Sequence, residues 1–261
     1  MAEKANAKAE ELGEIIAQRN GRTIYAKGDR VTKVFSHEKY AVSDVMKEAM
    51  NQAYALECGF NAPALYKVYP LGEDWAIESQ RIQGKTLEQM IREDPSHEKK
   101  YISMLVQIQV KLLGHLSDNL KLPKLKDKLN NYITHSGLDA TTRYDLHVRL
   151  EKMPNHYKFC HGDLAPHNII IDDKGEAWIL DWAHATRGNS SADAAMTYLL
   201  FLLAGDEKGA QMYLREFCRK TDIAAQYVQQ WISVVSATKL ATTSDEKQRE
   251  QLLKNINVVE Y

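Results

Sequence analysis

Cysteine is scarce in this sequence. Cys58, Cys160 and Cys218 lie far apart and form no C-x-x-C pair. That argues against a disulfide framework or a zinc ribbon and makes a reducing, cytoplasmic setting the expectation. An excess of charge is also missing. Lys and Arg number 34 against 35 Asp and Glu, a formal net charge of −1. A nucleic-acid binder would show a clear basic excess. No apolar run is long enough to span a bilayer. The longest, Ala194 to Ala204, has Thr197 and Tyr198 inside it and reads as a buried helix. The opening MAEKANAKAEELGEII has no apolar core of the signal-peptide kind. There is no internal repeat, low-complexity tract or Pro-rich linker.

What is present suits a soluble globular chain. Its 261 residues are 44% hydrophobic, enough for one large domain or two lobes of about 100–150 residues. Residues 2–19 are rich in Ala, Glu and Lys and read as a helix, which Gly21 breaks. RTIYA and RVTKVF flank Lys27-Gly28-Asp29 and read as a hairpin. Val42–Glu57 reads as a helix ended by Gly59 and Pro63. ALYKVYP and WAIESQRI read as two further strands. After Gly84 the character turns helical: a helix that Thr86 would cap, then Tyr101–Leu116 and Leu138–Lys152. The boundaries drawn are residues 1–80, β-rich with one helix; 81–85, a joint; and 86–261, mainly helical. Lys121, Lys124, Lys126 and Lys128 interleave with leucines and read as a solvated helix face.

The informative stretch is FCHGDLAPHNIIIDDKGEAWILDWAHA, residues 159–185. Ile169–Ile171 and Ala177–Leu180 are β-branched or apolar, and Asp172-Asp-Lys-Gly175 between them is turn chemistry. A four-residue loop would set Asn168 opposite Ile179 and put Asp181 on the same face, roughly 7–8 Å away at the backbone. A five-residue loop would flip that parity. Asp163 lies in the loop leading into the first strand. One amide and two carboxylates gathered there are hard oxygen groups suited to magnesium, with a carboxylate left to accept a proton.

HGD-x4-N followed by LDW resembles the catalytic segment of the aminoglycoside and choline kinase-like phosphotransferases, within the protein-kinase-like superfamily. The resemblance implies an α+β, two-lobed fold with a small β-rich N-lobe and a mainly helical C-lobe. It implies ATP and Mg2+, with Asp163 as catalytic base, Asn168 and Asp181 as magnesium ligands, and His161 as a brace. Lys33, in VTKVF, would grip the α- and β-phosphates. Glu48 would pair with Lys33. Gln80 and Ile82, in the lobe-joining QRIQG, would offer backbone groups to adenine. Asp193 would hold the catalytic loop, and it also suits a helix N-terminus.

The sequence departs from the kinase pattern too. There is no G-x-G-x-x-G. The phosphate loop is reduced to Asn20-Gly21-Arg22-Thr23, where Gly21 would allow a tight turn. Gly162 stands where protein kinases carry an arginine, and no A-P-E follows Asp181. Both favour a small-molecule kinase. Two other readings are a metal-dependent hydrolase using His161, Asp163, His167 and Asp181, and an inactive kinase fold serving as a binding module. The expected acceptor is a hydroxylated small molecule of aminoglycoside, amino-alcohol, amino-acid or sugar type. Trp182 and His184 are candidates to line its pocket. Tyr132, Tyr144 and Tyr157 suit aromatic packing better. Asp245, Glu246, Glu250 and Glu260 with Tyr261 would suit a cationic acceptor, although a solvated helix face explains them as well.

Overall fold

The computed structural model describes residues 12–116 and 121–256. The chain divides into two compact units: residues 1–86 with 168–184, and residues 87–167 with 185–261. The division is therefore not contiguous in sequence. The stretch 168–184 groups with the N-terminal residues.

The first unit is built on a five-stranded antiparallel sheet. Its strands are β1 (Glu14–Arg19), β2 (Arg22–Lys27), β3 (Arg30–Phe35), β4 (Leu65–Leu71) and β5 (Asp74–Gln80), in the order β1-β2-β3-β5-β4. Helix α1 (Val42–Glu57) packs on it. Strand alternation sorts the side chains. Tyr25, Val34 and Ala76 join Leu12 in one cluster, while Phe35 and Ile77 meet Val45 and Ala49 of α1 in another. Lys33 is two residues from Phe35, so the same parity sends it to the helix-facing side. Helix α1 buries Val45, Glu48, Ala49, Gln52 and Ala55, a helical stripe containing one carboxylate.

Residues 14–19 are a strand and not the end of a helix. Asn20 and Gly21 have φ of 51° and 74°, the two positive values of a type I′ hairpin turn, and Arg19 pairs with Arg22 across it. The turn and the ladder outweigh the helical bias of the composition. The rest of the expected 2–19 helix, up to residue 11, lies outside the described residues.

A three-stranded sheet completes this unit: β6 (Lys85–Thr86), β8 (Ile169–Ile171) and β9 (Ala177–Ile179), in the order β6-β8-β9. Gly84 lets β6 come in close, because a Cβ there would lie 2.2 Å from the Ile171 carbonyl oxygen. The hairpin and the turn after it are tied to α1 and to the segment that follows α1. Ile179 N–H donates to Asn61 O at 2.8 Å, and Asn51 Nδ2 donates to Trp182 O at 3.0 Å. Trp182 stacks on Phe60 with centroids 6.3 Å apart. It is fully buried, so it is a core residue and not a pocket lining.

The second unit is helical: α2 (Leu87–Glu93), α3 (Glu98–Gly114), α4 (Leu125–Thr134), α5 (Ala140–Lys152), α6 (Ser190–Leu203), α7 (Glu207–Thr221), α8 (Ala225–Gln229), α9 (Ile232–Leu240) and α10 (Glu246–Ile256). A two-stranded ribbon, β7 (Lys158–Cys160) with β10 (Thr186–Gly188), brackets the catalytic segment in sequence. Helix α6 is the expected buried apolar run. Helix α4 takes in Lys126 and Lys128 only, since Lys121 and Lys124 precede it. Tyr144 and Tyr157 are 68% and 50% exposed, so neither is core packing; Tyr157 carries the Arg187 guanidinium over its ring. Asp245 caps α10 through Gln248 N–H at 2.8 Å. Glu260 and Tyr261 lie outside the described residues. Among the described residues no helix is long and apolar enough to cross a membrane.

Candidate active site

The first unit collects charge around Asp181. Lys33 Nζ lies 2.5 Å from Glu48 Oε1 and 3.1 Å from Asp181 Oδ1, and Arg22 reaches Asp181 Oδ2 at 3.5 Å. Glu48 is only 5% exposed. A carboxylate so deep is tolerated only beside a cation. Burial by itself would push the Lys33 ammonium down, but Glu48 and Asp181 outweigh it and hold Lys33 above its ordinary range. Burial also opposes ionisation of Asp181, yet Lys33, Arg22 and His184 together hold its carboxyl well below the usual range. Burial pulls Glu48 the other way, upward, and Lys33 only partly offsets this.

Asn168 and Asp181 both stand at the open end of the β8–β9 hairpin, though not by the expected parity. The strands pair Ile171 with Ala177 and Ile169 with Ile179. The loop between them thus holds five residues, 172–176. Asp172 accounts for the extra one: its Oδ1 accepts from the N–H groups of both Lys174 and Glu176 at 2.9 Å. Leu180 N–H then donates to Asn168 O at 2.8 Å, which sets Asn168 opposite Leu180 and not Ile179. Asp181 escapes strand alternation by another route. Its φ of 57° is left-handed, a conformation that costs a non-glycine residue on the order of 1–3 kcal/mol and gathers at functional sites. It turns the chain into the short 3-10 turn Trp182–His184.

Gln80, Ile82 and Gly21, the other residues expected to meet the nucleotide, also belong to the first unit. Gln80 ends β5; its N–H donates to Ala64 O at 2.9 Å, and its Oε1 accepts from Ala64 N–H at 3.3 Å. The Gln80 N–H is thus already committed. Ile82 is half-buried in the segment after β5. Gly21 occupies the β1–β2 turn, and its carbonyl accepts from Ser36 N–H at 2.9 Å.

The second unit holds the other group of predicted residues. His161 is fully buried, and its Nδ1 accepts from Asp163 N–H at 3.3 Å. Gly162 has φ of 76° and donates its N–H to Asp193 Oδ1 at 2.7 Å. Asp193 Oδ2 accepts from Gln109 Nε2 at 2.9 Å. Gln109 in turn donates to Thr197 Oγ1 and accepts from Tyr213 OH. Burial pushes the Asp193 carboxyl up, and the bonds from Gln109 and Gly162 offset part of this. A buried polar chain therefore runs from α7 through α3 to the backbone of the H-G-D turn. Asp163 Oδ1 accepts from Lys239 Nζ at 2.8 Å.

Three residues at these centres escaped the sequence reading. Arg22 was seen only as part of a short loop. Gln109 is a fully buried amide in an apolar helix, a signal available in principle. Lys239 is the one charge in ISVVSATKL. Among the described residues no group of three or more His, Cys, Asp or Glu is placed to hold a metal.

A small antiparallel sheet with one helix, a helical unit, and a lysine bridging two carboxylates match the fold and the charge pair that the sequence resemblance implied. The chain belongs to the phosphotransferase enzyme family, whose profile matches residues 13–227. Solved structures agree on the fold. The crystal structure of an aminoglycoside-3'-phosphotransferase of type VIII is 15% identical, with a TM-score of 0.64 over 91% of this chain and 98% of that one. A thermostable mutant of aminoglycoside phosphotransferase APH(4)-Ia, in ternary complex with ADP and hygromycin B, is 13% identical, with a TM-score of 0.70 over 97% and 96%. Aminoglycoside phosphotransferase APH(3'')-Id from Streptomyces rimosus is 15% identical, with a TM-score of 0.64 over 91% and 97%. No curated protein sequence matches the chain.

Proposed function

We propose that the protein transfers the γ-phosphoryl group of ATP, with Mg2+, to a hydroxyl of a small molecule. The observation that carries this is Lys33, half-buried between Glu48 and Asp181. A lysine held charged in this way is ready for anionic phosphates, and Glu48 fixes its direction. The ADP in a structural neighbour's complex supports the choice of nucleotide. Asn168 and Asp181 suit magnesium: they offer an amide oxygen and a strongly acidic carboxylate, and a two-residue donor set fits an ion that shares its shell with water and phosphate. When bound, the ion would neutralise charge on the phosphate oxygens.

The chain's own residues do the rest. Lys33 binds the α- and β-phosphates, and Arg22 adds a second cation beside Asp181. Asp163 orients the acceptor hydroxyl and takes its proton. The acceptor oxygen forms a bond to the γ-phosphorus, the bridging P–O bond breaks, and its electron pair leaves with ADP. His161 and Asp193 hold the Asp163 backbone in place. Residues 81–85 form the joint, with 1–80 and 86–261 as the lobes, and Ile82 meets adenine through its backbone. The acceptor is of aminoglycoside, amino-alcohol, amino-acid or sugar type.

Two measurements test this. Calorimetry should show ATP binding tightly with Mg2+ and weakly in EDTA; equal affinities would count against the site. Asp163→Asn should keep Mg-ATP affinity and lose about 10²–10⁴ in turnover, the range of a general base. Unchanged turnover would remove Asp163 from the mechanism.

A further inference from the structure

Helix α9 is built to be buried. Val234, Val235, Ser236, Ala237 and Leu240 are all at most 2% exposed. Lys239 is its only charge, in the last turn. A lysine there gains from the helix dipole wherever its side chain points, and pointing into solvent would cost least. Lys239 turns instead to Asp163, Nζ to Oδ1 at 2.8 Å, with the two side chains 22% and 16% exposed. The partners are 76 residues apart in sequence, so no local helix chemistry produces this pair. The fold has spent the one charge of an apolar helix on the proposed base.

A general base works within about 2.6–3.2 Å of the hydroxyl it serves. An ammonium 2.8 Å from one oxygen of that base therefore stands within about 8 Å of an attacking oxygen held by the other. Before transfer it compensates the Asp163 carboxylate and fixes one of its oxygens, which sets the direction of the other. As Asp163 takes the proton, the carboxylate charge disappears and the ammonium charge is no longer compensated by it. Its electrostatic effect is then larger in the transition state than in the ground state, and only such an interaction speeds the chemical step. We propose that Lys239 is a positioning residue of the phosphoryl transfer, orienting Asp163 and supplying positive charge as the proton moves. This rests on the phosphotransferase reading above.

The test compares Lys239→Met and Lys239→Arg with the parent, all as the full chain. Calorimetry would measure Mg-ADP alone and Mg-ADP with tetrafluoroaluminate, a mimic of the transferring phosphoryl group. Lys239→Met should bind Mg-ADP within twofold of the parent and lose about 10- to 100-fold for the tetrafluoroaluminate complex, as expected for an interaction stronger in the transition state than in the ground state. Lys239→Arg, which keeps the charge, should recover most of that loss. Equal weakening of both ligands by Lys239→Met would mark a merely structural lysine and overturn the proposal. So would an unchanged tetrafluoroaluminate affinity, or an Arg variant as weak as Met. A parent protein that binds no Mg-ADP would instead overturn the phosphotransferase reading, and this inference with it.

Discussion

Asp193→Ala cuts the link between the buried network and the catalytic turn. The carboxylate accepts from Gly162 N–H at 2.7 Å and from Gln109 Nε2 at 2.9 Å. At 3% exposure, bulk water does not replace it. A hydrogen bond to a charged acceptor contributes about 1.5–3 kcal/mol. The two losses are unequal. Gln109 Nε2 still donates to Thr197 Oγ1 at 3.1 Å, whereas Gly162 loses the acceptor that holds its left-handed turn. Removing a buried charge also returns part of its desolvation cost. The net expectation is a loss of about 2–4 kcal/mol. Asp193→Asn keeps an oxygen for Gly162 but sets its amide against that of Gln109. Gln109 can turn over, because its other partners are the rotatable hydroxyls of Thr197 and Tyr213. That variant should lose only about 1 kcal/mol. With a urea slope of about 3 kcal/mol/M, the unfolding midpoint falls by about 1 M for Ala and about 0.3 M for Asn. An Ala variant within about 0.5 kcal/mol of the parent would refute the argument. Equal losses for Ala and Asn would show that the charge, and not the hydrogen bonding, holds the turn.

Lys33→Ala and Asp181→Ala should fold and lose most turnover, while Glu48→Ala should lose less, because Lys33 keeps Asp181 as a partner; steady-state rates at saturating ATP and magnesium would decide the order. Asp181 also sets a pH dependence. Its folded-state pKa is depressed, so its stabilisation is present above the unfolded value of about 3.9 and lost as pH falls through the lower folded value. The stability gap between the parent and Asp181→Asn should therefore shrink on acidification below about pH 4, and thermal melts that keep a constant gap would exclude it. Gly84→Ala should destabilise the β6–β8 pairing, since its Cβ would lie 2.2 Å from a backbone oxygen and Gly84 has φ of 148°; unfolding that matches the parent would refute this.

Much of the site was legible because its chemistry is local in sequence. Asp163, Asn168 and Asp181 sit within one hairpin and its flanks, and the β-branched runs on either side announce the strands. Lys33 and Glu48 stood out only through the family resemblance, and the structure pairs them at 2.5 Å. What stayed hidden depended on single backbone details or on distant partners. One extra turn residue, held by the two N–H groups that Asp172 accepts, reversed the hairpin parity. The Asn20–Gly21 turn made a strand of residues whose composition favours a helix. Lys239 carries no periodic signal pointing to Asp163, and only tertiary packing joins them.

The discontinuity of the first unit has a consequence for how the chain is made. Lys33 and its partner Asp181 are 148 residues apart, and the Trp182 ring that stacks on Phe60 arrives just as late. A ribosome that has delivered the first sheet and α1 has not yet supplied Asp181, Arg22's carboxylate partner, or strands β8 and β9. Until then Lys33 and Arg22, both already made, neutralise Glu48 without the opposing Asp181 carboxylate while the α2–α5 region is synthesised. The first unit is thus completed after much of the helical unit has emerged. N-terminal-first folding, the usual order during synthesis, cannot finish this unit first. Chains stopped before residue 168 should remain open in their first unit and expose Phe60 to chaperones and proteases.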